Sequence, residues 1–210
     1  VVNAARVSFA KESQEFTEAD ERLLDYLAKN GHTSPFRHAA IGFEIYAPLM
    51  VARQWWKHVV GAPFVDTGWN ESSRRYVTED PEFYVPSEWR KAPENRKQGS
   101  AEAFDPEDKL ESLVINTMNR LAAETIHRAQ TAYDFAIANG VAVEQARLLL
   151  PAYGLYIRWR WFPTLQAVAH FTDLRLGHDA QSEIRDYAVV VDELAVEAFP
   201  YAYEALRRNR

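Results

Sequence analysis

The segment from Asp105 to Gly140 constrains the fold more than any other part of this chain. Asp105-Pro106 has the form of a helix opening, with Asp as cap and Pro at the first helical position. Leu110, Leu113, Val114, Thr117, Leu121, Thr125, Ala129, Ala132 and Ala136 then recur at spacings of one, three or four residues, a helical period that predicts one long helix running close to Gly140. Strand-like patterns stand on either side of that helix. The mixed order points to an α+β fold with a small antiparallel sheet and several long helices, rather than a regular βαβ array.

The rest of the chain fits that outline. Thr17 with Asp20 three residues on predicts a capped helix carrying Leu23, Leu24 and Leu27 and ending at Gly31. Ile41, Phe43 and Ile45 alternate with polar or small residues as a strand does. Pro48 suits the first turn of a helix from Leu49 to His58, and "SSRRYV" is short and β-compatible. Residues 86–100 are polar without a period and predict a surface excursion. A short helix is expected through Ala146 to Leu150, a strand over "LYIRWRW", and helices over Pro163–Leu174 and Ala180–Phe199. Trp159 and Trp161 alternate with Arg158 and Arg160, so they should share one buried strand face. Trp55 and Trp56 are expected to fill the core and an interface, and His127 to be structural or exposed. With no repeat, low-complexity tract or boundary signal, residues 1–210 are expected to form a single domain.

Composition removes whole classes of chemistry. The 210 residues carry a formal charge of -6, which argues against a general nucleic-acid binder. No apolar run approaches a membrane span and no signal-peptide pattern opens the chain, so cytoplasmic is the default location. The chain begins with Val rather than Met, which implies that leading residues precede it. The absence of cysteine excludes disulfides, thiolate metal sites and every cysteine nucleophile. The six histidines show no metal-ligand spacing, so no metal is expected. Neither G-x-G-x-x-G nor G-x-x-x-x-G-K occurs, and G-x-S-x-G is missing too.

What remains is anion recognition in "RQWWKHVVGAPFVDTGWNESSRRY", Arg53 to Tyr76. Arg53 and Lys57 stand four apart on one helix face, with Gln54 and His58 as the neighbouring pair. Ser73 and Arg75 fall on one side of an extended segment. Guanidinium groups offer planar paired donors that suit phosphate and pyrimidine carbonyl oxygens alike. Any one of these arginines is more easily explained as a partner of a surface carboxylate; the whole cluster, with Asn70, Ser72 and Ser73, favours a site.

This constellation resembles the flavin-dependent thymidylate synthases, whose signature is an R-H-R triplet on a helix beginning R-Q-W, followed by N-E-x-S-x-R-Y. "RQWWKHV" and "NESSRRY" stand in those places. "ARVSF" (Ala5 to Phe9), "HTSPF" (His32 to Phe36), "ARLLLP" (Ala146 to Pro151) and "HFTDLRLGHDAQSEIRDYA" (His170 to Ala188) resemble further family elements, in the family's order. The resemblance implies reductive methylation of dUMP to dTMP, with methylenetetrahydrofolate supplying the carbon, FAD the hydride and NADPH re-reducing the flavin. That agrees with a chain that has no cysteine to add to the pyrimidine ring.

By matching positions, the resemblance assigns dUMP to Gln54, Lys57, Glu71, Ser72, Ser73, Arg74, Arg75, Arg147 and Arg175. Arg175 is the catalytic residue, set against the uracil to favour ionisation at N3. FAD falls to His32, Ser34, Lys57, His58, Val59, Glu71, Thr164, Leu165, Gln166 and His170. The family is a homotetramer with each FAD between subunits, which implies the same assembly here. The sequence departs from the family in four places. The triplet is Lys57-His58-Val59, the following loop is longer by much of "GAPFVDTGW", Thr164 and His170 stand where Asn is common, and Gly154 is an insertion. These changes leave open a diverted pyrimidine modification such as hydroxymethylation, or a nucleotide-binding relative without catalysis. The added loop is expected to cover the cofactor with Phe64 or Trp69.

Overall fold

The computed structural model describes residues 1–59, 69–73, 79–94 and 99–209. The notable sequence expectations outside that range are Arg74, Arg75 and most of the lengthened loop. In chain order the described α-helices and strands are α1 (Val2–Arg6), α2 (Glu18–Lys29), β1 (Phe43–Pro48), α3 (Leu49–Trp55), β2 (Trp69–Glu71), α4 (Lys109–Ala138), α5 (Val143–Ala146), β3 (Tyr156–Trp161), α6 (Leu165–Arg175), α7 (Ser182–Ala198) and α8 (Ala202–Arg208). The three strands form one small antiparallel sheet in the order β1-β3-β2, and the fold class is α+β. None of the described helices is long and apolar enough to cross a membrane. By internal contacts the chain divides into two compact units. The first comprises Val1–Ile45, Gln54–Asn70 and Arg160–Arg210; the second comprises Tyr46–Arg53 and Glu71–Trp159.

The first unit is organised by a buried carboxylate and an aromatic cluster. Asp20 is fully buried at the start of α2. It accepts hydrogen bonds from the Thr17 amide (2.9 Å), the Thr17 hydroxyl (2.9 Å), the Ser13 hydroxyl (2.8 Å) and Arg6 Nε (3.0 Å). The Ser13 hydroxyl, followed by Arg6, holds this carboxyl well below the usual carboxylate range. The capping pair expected of Thr17 and Asp20 thus also ties down α1. Gly31 follows α2 at φ +67, the left-handed conformation that glycine tolerates. Trp55, fully buried, stacks on Phe171 of α6 with ring centroids 4.3 Å apart and meets Trp161 edge-on at 5.4 Å. Phe43 stacks on Trp161 at 5.7 Å. Each such ring removes enough apolar surface to contribute on the order of 2 kcal/mol, with roughly 1 kcal/mol more per well-oriented pair.

Helices α6, α7 and α8 are joined by buried polar groups. Tyr203 donates to Asp192 Oδ1 at 2.8 Å, and its oxygen lies 2.9 Å from the Thr172 hydroxyl. Arg207 Nε reaches the second Asp192 oxygen at 3.0 Å. Residues Ala39–Ile41 pair with Pro163–Leu165: Ile41 donates to the Pro163 carbonyl (3.1 Å) and Leu165 to that of Ala39 (2.9 Å).

In the second unit the amides of Leu49 and Met50 donate to the carbonyls of Leu155 (2.9 Å) and Tyr153 (3.0 Å). Those bonds start α3 after Pro48, which is the last residue of β1 and not part of the helix as its ring geometry suggested. Helix α4 opens at Lys109, later than expected, because Asp108 is the cap: its carboxylate accepts from the Leu110 (2.9 Å) and Glu111 (3.0 Å) amides. Asp105 instead accepts from the Glu107 amide at 2.9 Å in the preceding turn. The helix ends at Ala138, and Gly140 takes a φ of +79. Its buried residues are Tyr133 and Ala136, packed with Ala146, Leu150 and Phe83. Leu110, Leu113, Val114 and Leu121, part of the periodic face, are exposed by between 39% and 77%. The short helix expected through Leu150 is α5 followed by a 3₁₀ turn over Arg147–Leu149.

Candidate active site

The turn after α3 sets the centre of the candidate site in the first unit. The His58 amide donates to the Trp55 carbonyl at 2.9 Å, closing the helix and turning the imidazole inward. Of its neighbours, Lys57 is exposed with Nζ 5.0 Å from the Trp56 ring centroid, and Val59 is 42% exposed, whereas His58 is only 6% exposed. The adjacent tryptophans divide likewise: Trp55 is in the core and Trp56 is 46% exposed.

Helix α6 faces this turn with residues four apart, which share one helical face. Phe171 presents its ring edge-on to His58 at 5.0 Å, and Arg175 donates from Nε to His58 Nε2 at 3.1 Å. His170 lies on the same helix with its ring 6.0 Å from that of His58. Burial, then the Arg175 cation, then His170 push the His58 imidazole down to about 4. At neutral pH it is therefore uncharged, as an acceptor must be. Burial also lowers the Arg175 guanidinium, against a smaller opposing effect from Asp179. A half-buried arginine with one nitrogen engaged is suited to meet an anionic or carbonyl-rich ligand with the others.

The N-terminal end of α6 carries the next group. Thr164 is the cap, its hydroxyl accepting from the Ala167 amide at 3.2 Å, and it is buried. Leu165 is fully buried, so of the Thr164–Gln166 turn only Gln166 offers a partly exposed side chain. Arg37 Nε donates to Gln166 Oε1, and Ser34 and His32 are exposed on the segment leading to Arg37. The His32 ring meets Tyr26 edge-on at 6.0 Å. Gln54 on α3 donates to Gln181 Oε1 at 2.6 Å, at the cap of α7.

The second unit holds Glu71, Ser72, Ser73 and Arg147. Ser72 is clasped to β3: its amide donates to the Arg158 carbonyl at 2.8 Å, and its hydroxyl accepts from the Arg158 amide at 3.1 Å. Both serines follow β2, which ends at Glu71, and the remainder of "SSRRYV" lies outside the described residues. Arg147 is exposed on its 3₁₀ turn, Nε donating to the Glu144 carbonyl at 3.3 Å. Arg74 and Arg75 lie outside the described residues. Among those described, no group of His, Asp or Glu side chains converges as a metal centre would require.

Sequence reasoning named both His58 and Arg175 but not their contact, which joins residues 117 apart. It also passed over Arg37, whose link to Gln166 has no local signal, and the Thr172–Tyr203–Asp192 chain beneath α6.

Residues 1–201 match the family model described as thymidylate synthase complementing protein. The chain is 36% identical over 209 residues to the flavin-dependent thymidylate synthase of Thermus thermophilus, covering all of this chain and 71% of that protein. It is 34% identical to the same-named protein of Thermosipho africanus (97% and 83% covered) and 37% identical to that of Wolbachia pipientis (98% and 68% covered). Among solved structures, the fold is similar to a UMP/dUMP methylase, PolB, from Streptomyces cacaoi. Bound with 5-Br dUMP, it gives a TM-score of 0.76 at 27% identity over 99% of this chain and 88% of that one.

Proposed function

Because this chain belongs to the flavin-dependent thymidylate synthase family, we propose that it methylates dUMP reductively to dTMP, taking the carbon from methylenetetrahydrofolate and using FAD and NADPH. The observation that carries this reading is Arg175, a half-buried guanidinium held at Nε by His58. Among the described residues its remaining nitrogens make no hydrogen bond, and they are the donors that would polarise the uracil ring. A fixed cation there stabilises negative charge developing at N3 without reorganising during the reaction.

Gln54, Lys57, Glu71, Ser72, Ser73, Arg74, Arg75 and Arg147 would hold the nucleotide, and residues 1–210 would act as one domain. The donor set of the first unit fits a flavin dinucleotide. The exposed Ser34 hydroxyl and Lys57 ammonium suit phosphate oxygens, and Gln166, His32 and His170 can bond ring or ribose groups. When bound, the flavin supplies the hydride. Val59 and the buried Leu165 can meet it only through backbone or apolar contact, and Thr164 shapes the turn by capping α6. His58, already engaged with Arg175, would bound the pocket from inside.

A homotetrameric assembly is supported by the exposed apolar face of α4, where Leu110 is 77% and Leu113 63% exposed. So large a face on one helix is more in keeping with burial against another copy than with permanent hydration. We place the enzyme in the cytoplasm. The deciding experiment incubates the protein with dUMP, methylenetetrahydrofolate, FAD and NADPH and identifies the product by mass. dTMP is expected; a hydroxymethylated nucleotide, or no product from flavin-loaded protein, overturns the reading. Light scattering in the same buffer should give four copies, and a monomer that retains flavin would remove the shared-pocket model.

A further inference from the structure

Arg175 is the arginine proposed to face the pyrimidine, and the described residues show what holds it in place. Three contacts made by His58, and one that backs its neighbour Phe171, hold the ring in place. Its amide is tied to the Trp55 carbonyl at 2.9 Å, its side rests against the edge-on Phe171 at 5.0 Å, Phe171 is itself stacked on Trp55 at 4.3 Å, and Nε2 accepts from Arg175 at 3.1 Å. Because Phe171 and Arg175 lie four apart on α6, one helix face provides both the wall against His58 and the charge that His58 receives. An acceptor at Nε2 requires the ring proton to sit on Nδ1.

A guanidinium is planar, so fixing its Nε–H direction fixes the plane in which both Nη groups can donate. An arginine side chain otherwise has many rotamers to lose on meeting a ligand. Asp179 is near enough to act on the Arg175 charge, but Asp179 is exposed and forms no hydrogen bond to it among the described residues. The groups facing His58 are Arg175 and His170 from α6, with Lys57 adjacent on the turn.

We infer that His58 is a positioning residue for Arg175: its neutral imidazole accepts the Nε–H and aims the two Nη groups at the pyrimidine. His58 thus acts on the nucleotide half of the reaction through Arg175, in addition to any contact with flavin. The inference rests on the proposed function for its target, the pyrimidine, and for its readout in turnover; the contact itself does not.

The test uses flavin-loaded full-length protein and two variants. His58→Phe keeps a ring of similar bulk and removes the acceptor, whereas His58→Gln keeps an acceptor oxygen. Methyl transfer to dUMP in a single turnover should slow on the order of a hundredfold in His58→Phe, the scale of a misaimed reacting group. His58→Gln should recover at least about tenfold of that loss. Methyl transfer is scored per bound flavin; because both variants lose the imidazole, any loss of flavin content or of flavin reduction by NADPH should be similar in the two, so that only their difference in methyl transfer reports on Arg175. Equal impairment of the two variants, or a His58→Phe rate within about threefold of wild type, overturns the inference. A separate measurement needs no turnover. With selectively ¹⁵N-labelled His and Arg, wild-type protein at neutral pH should show His58 as the Nδ1–H tautomer and a slowly exchanging Arg175 Nε–H. An Nε2–H tautomer overturns the inference whatever the activity. If wild-type protein makes no dTMP while the tautomer is as expected, the functional reading fails and the positioning contact stands.

Discussion

Substituting Tyr203 by Phe removes one oxygen from a buried polar contact in the first unit. Tyr203 and Thr172 are fully buried and Asp192 is 4% exposed. The hydroxyl donates to the Asp192 carboxylate at 2.8 Å and contacts the Thr172 hydroxyl at 2.9 Å. The ring and its packing are unchanged in Phe, so no cavity beyond the missing oxygen contributes. A hydrogen bond to a buried charge is worth about 1.5–3 kcal/mol, and a neutral one about 1 kcal/mol. The lost hydroxyl no longer has to be desolvated, which offsets part of that sum. Arg207, at 3.0 Å, still neutralises Asp192. The expected net loss is therefore about 2–3 kcal/mol. In urea, at fixed protein concentration, that is a fall in midpoint of about 1 M or more with an unchanged slope. Tyr201→Phe is the matched control two residues away. Tyr201 is 49% exposed and its ring keeps its contact with Phe16 at 4.4 Å, so the change should stay within about 0.5 kcal/mol. Equal midpoints for the two variants would refute the assignment of the buried network as the joint between α6, α7 and α8.

The paired tryptophans should behave as opposites. Trp55→Ala, which empties the stack on Phe171, is expected to cost about 3–5 kcal/mol, and Trp56→Ala, at a ring 46% exposed, about 1 kcal/mol or less; similar thermal midpoints for the two would contradict their opposite burial. Stability should also fall with acid before the carboxylates titrate. His58 is held at about 4 against an ordinary 6.5, so the unfolded chain takes up a proton that the fold refuses; this stability is complete above about pH 6.5 and is lost as the pH falls towards 4, by roughly 3 kcal/mol in all. Asp20, held low chiefly by Ser13 and then Arg6, adds a loss only below the ordinary carboxylate range. Urea midpoints between pH 7.5 and 4 should slope in wild type and flatten in His58→Gln; a flat wild-type profile would exclude a neutral buried His58.

The legible parts of the fold were those written in local chemistry. Thr17 and Asp20 form the expected reciprocal cap, Gly140 terminates α4 at positive φ, and Trp159 and Trp161 both face inward, at 1% and 4% exposure. The start of α4 was displaced because both Asp105 and Asp108 can cap, and only the geometry of the next two amides separates them. Helix α8 was not foreseen: "AYEALRR" is short and rich in charge, and its burial depends on Tyr203 reaching groups on α6 and α7. The apolar period of α4 was visible, but not that much of it would be exposed in one chain, since periodicity reports a face and not what covers it. In the site, residue identities came from the family's motifs. The contact between His58 and Arg175 has no signature in spacing, because tertiary packing of α6 against the end of α3 creates it.

That packing gives the altered triplet a physical interpretation. Lys57, His58 and Val59 are not three equivalent ligands: the outer two face solvent, while the middle one is buried and bonded to Arg175. Replacing an outer arginine by lysine or valine therefore leaves the interior of the first unit untouched. It changes the number and shape of cations available to an anion, exchanging a bidentate guanidinium for a point charge at Lys57 and removing the charge at Val59. Losses of that kind should fall on the binding of charged groups and weaken further as salt rises. A change at His58 would instead remove the acceptor for Arg175 and unseat the edge of Phe171, disturbing orientation and core together. The departures from the family triplet thus fall at the two exposed positions, Lys57 and Val59, whereas the histidine shared with that triplet is the residue bonded to Arg175.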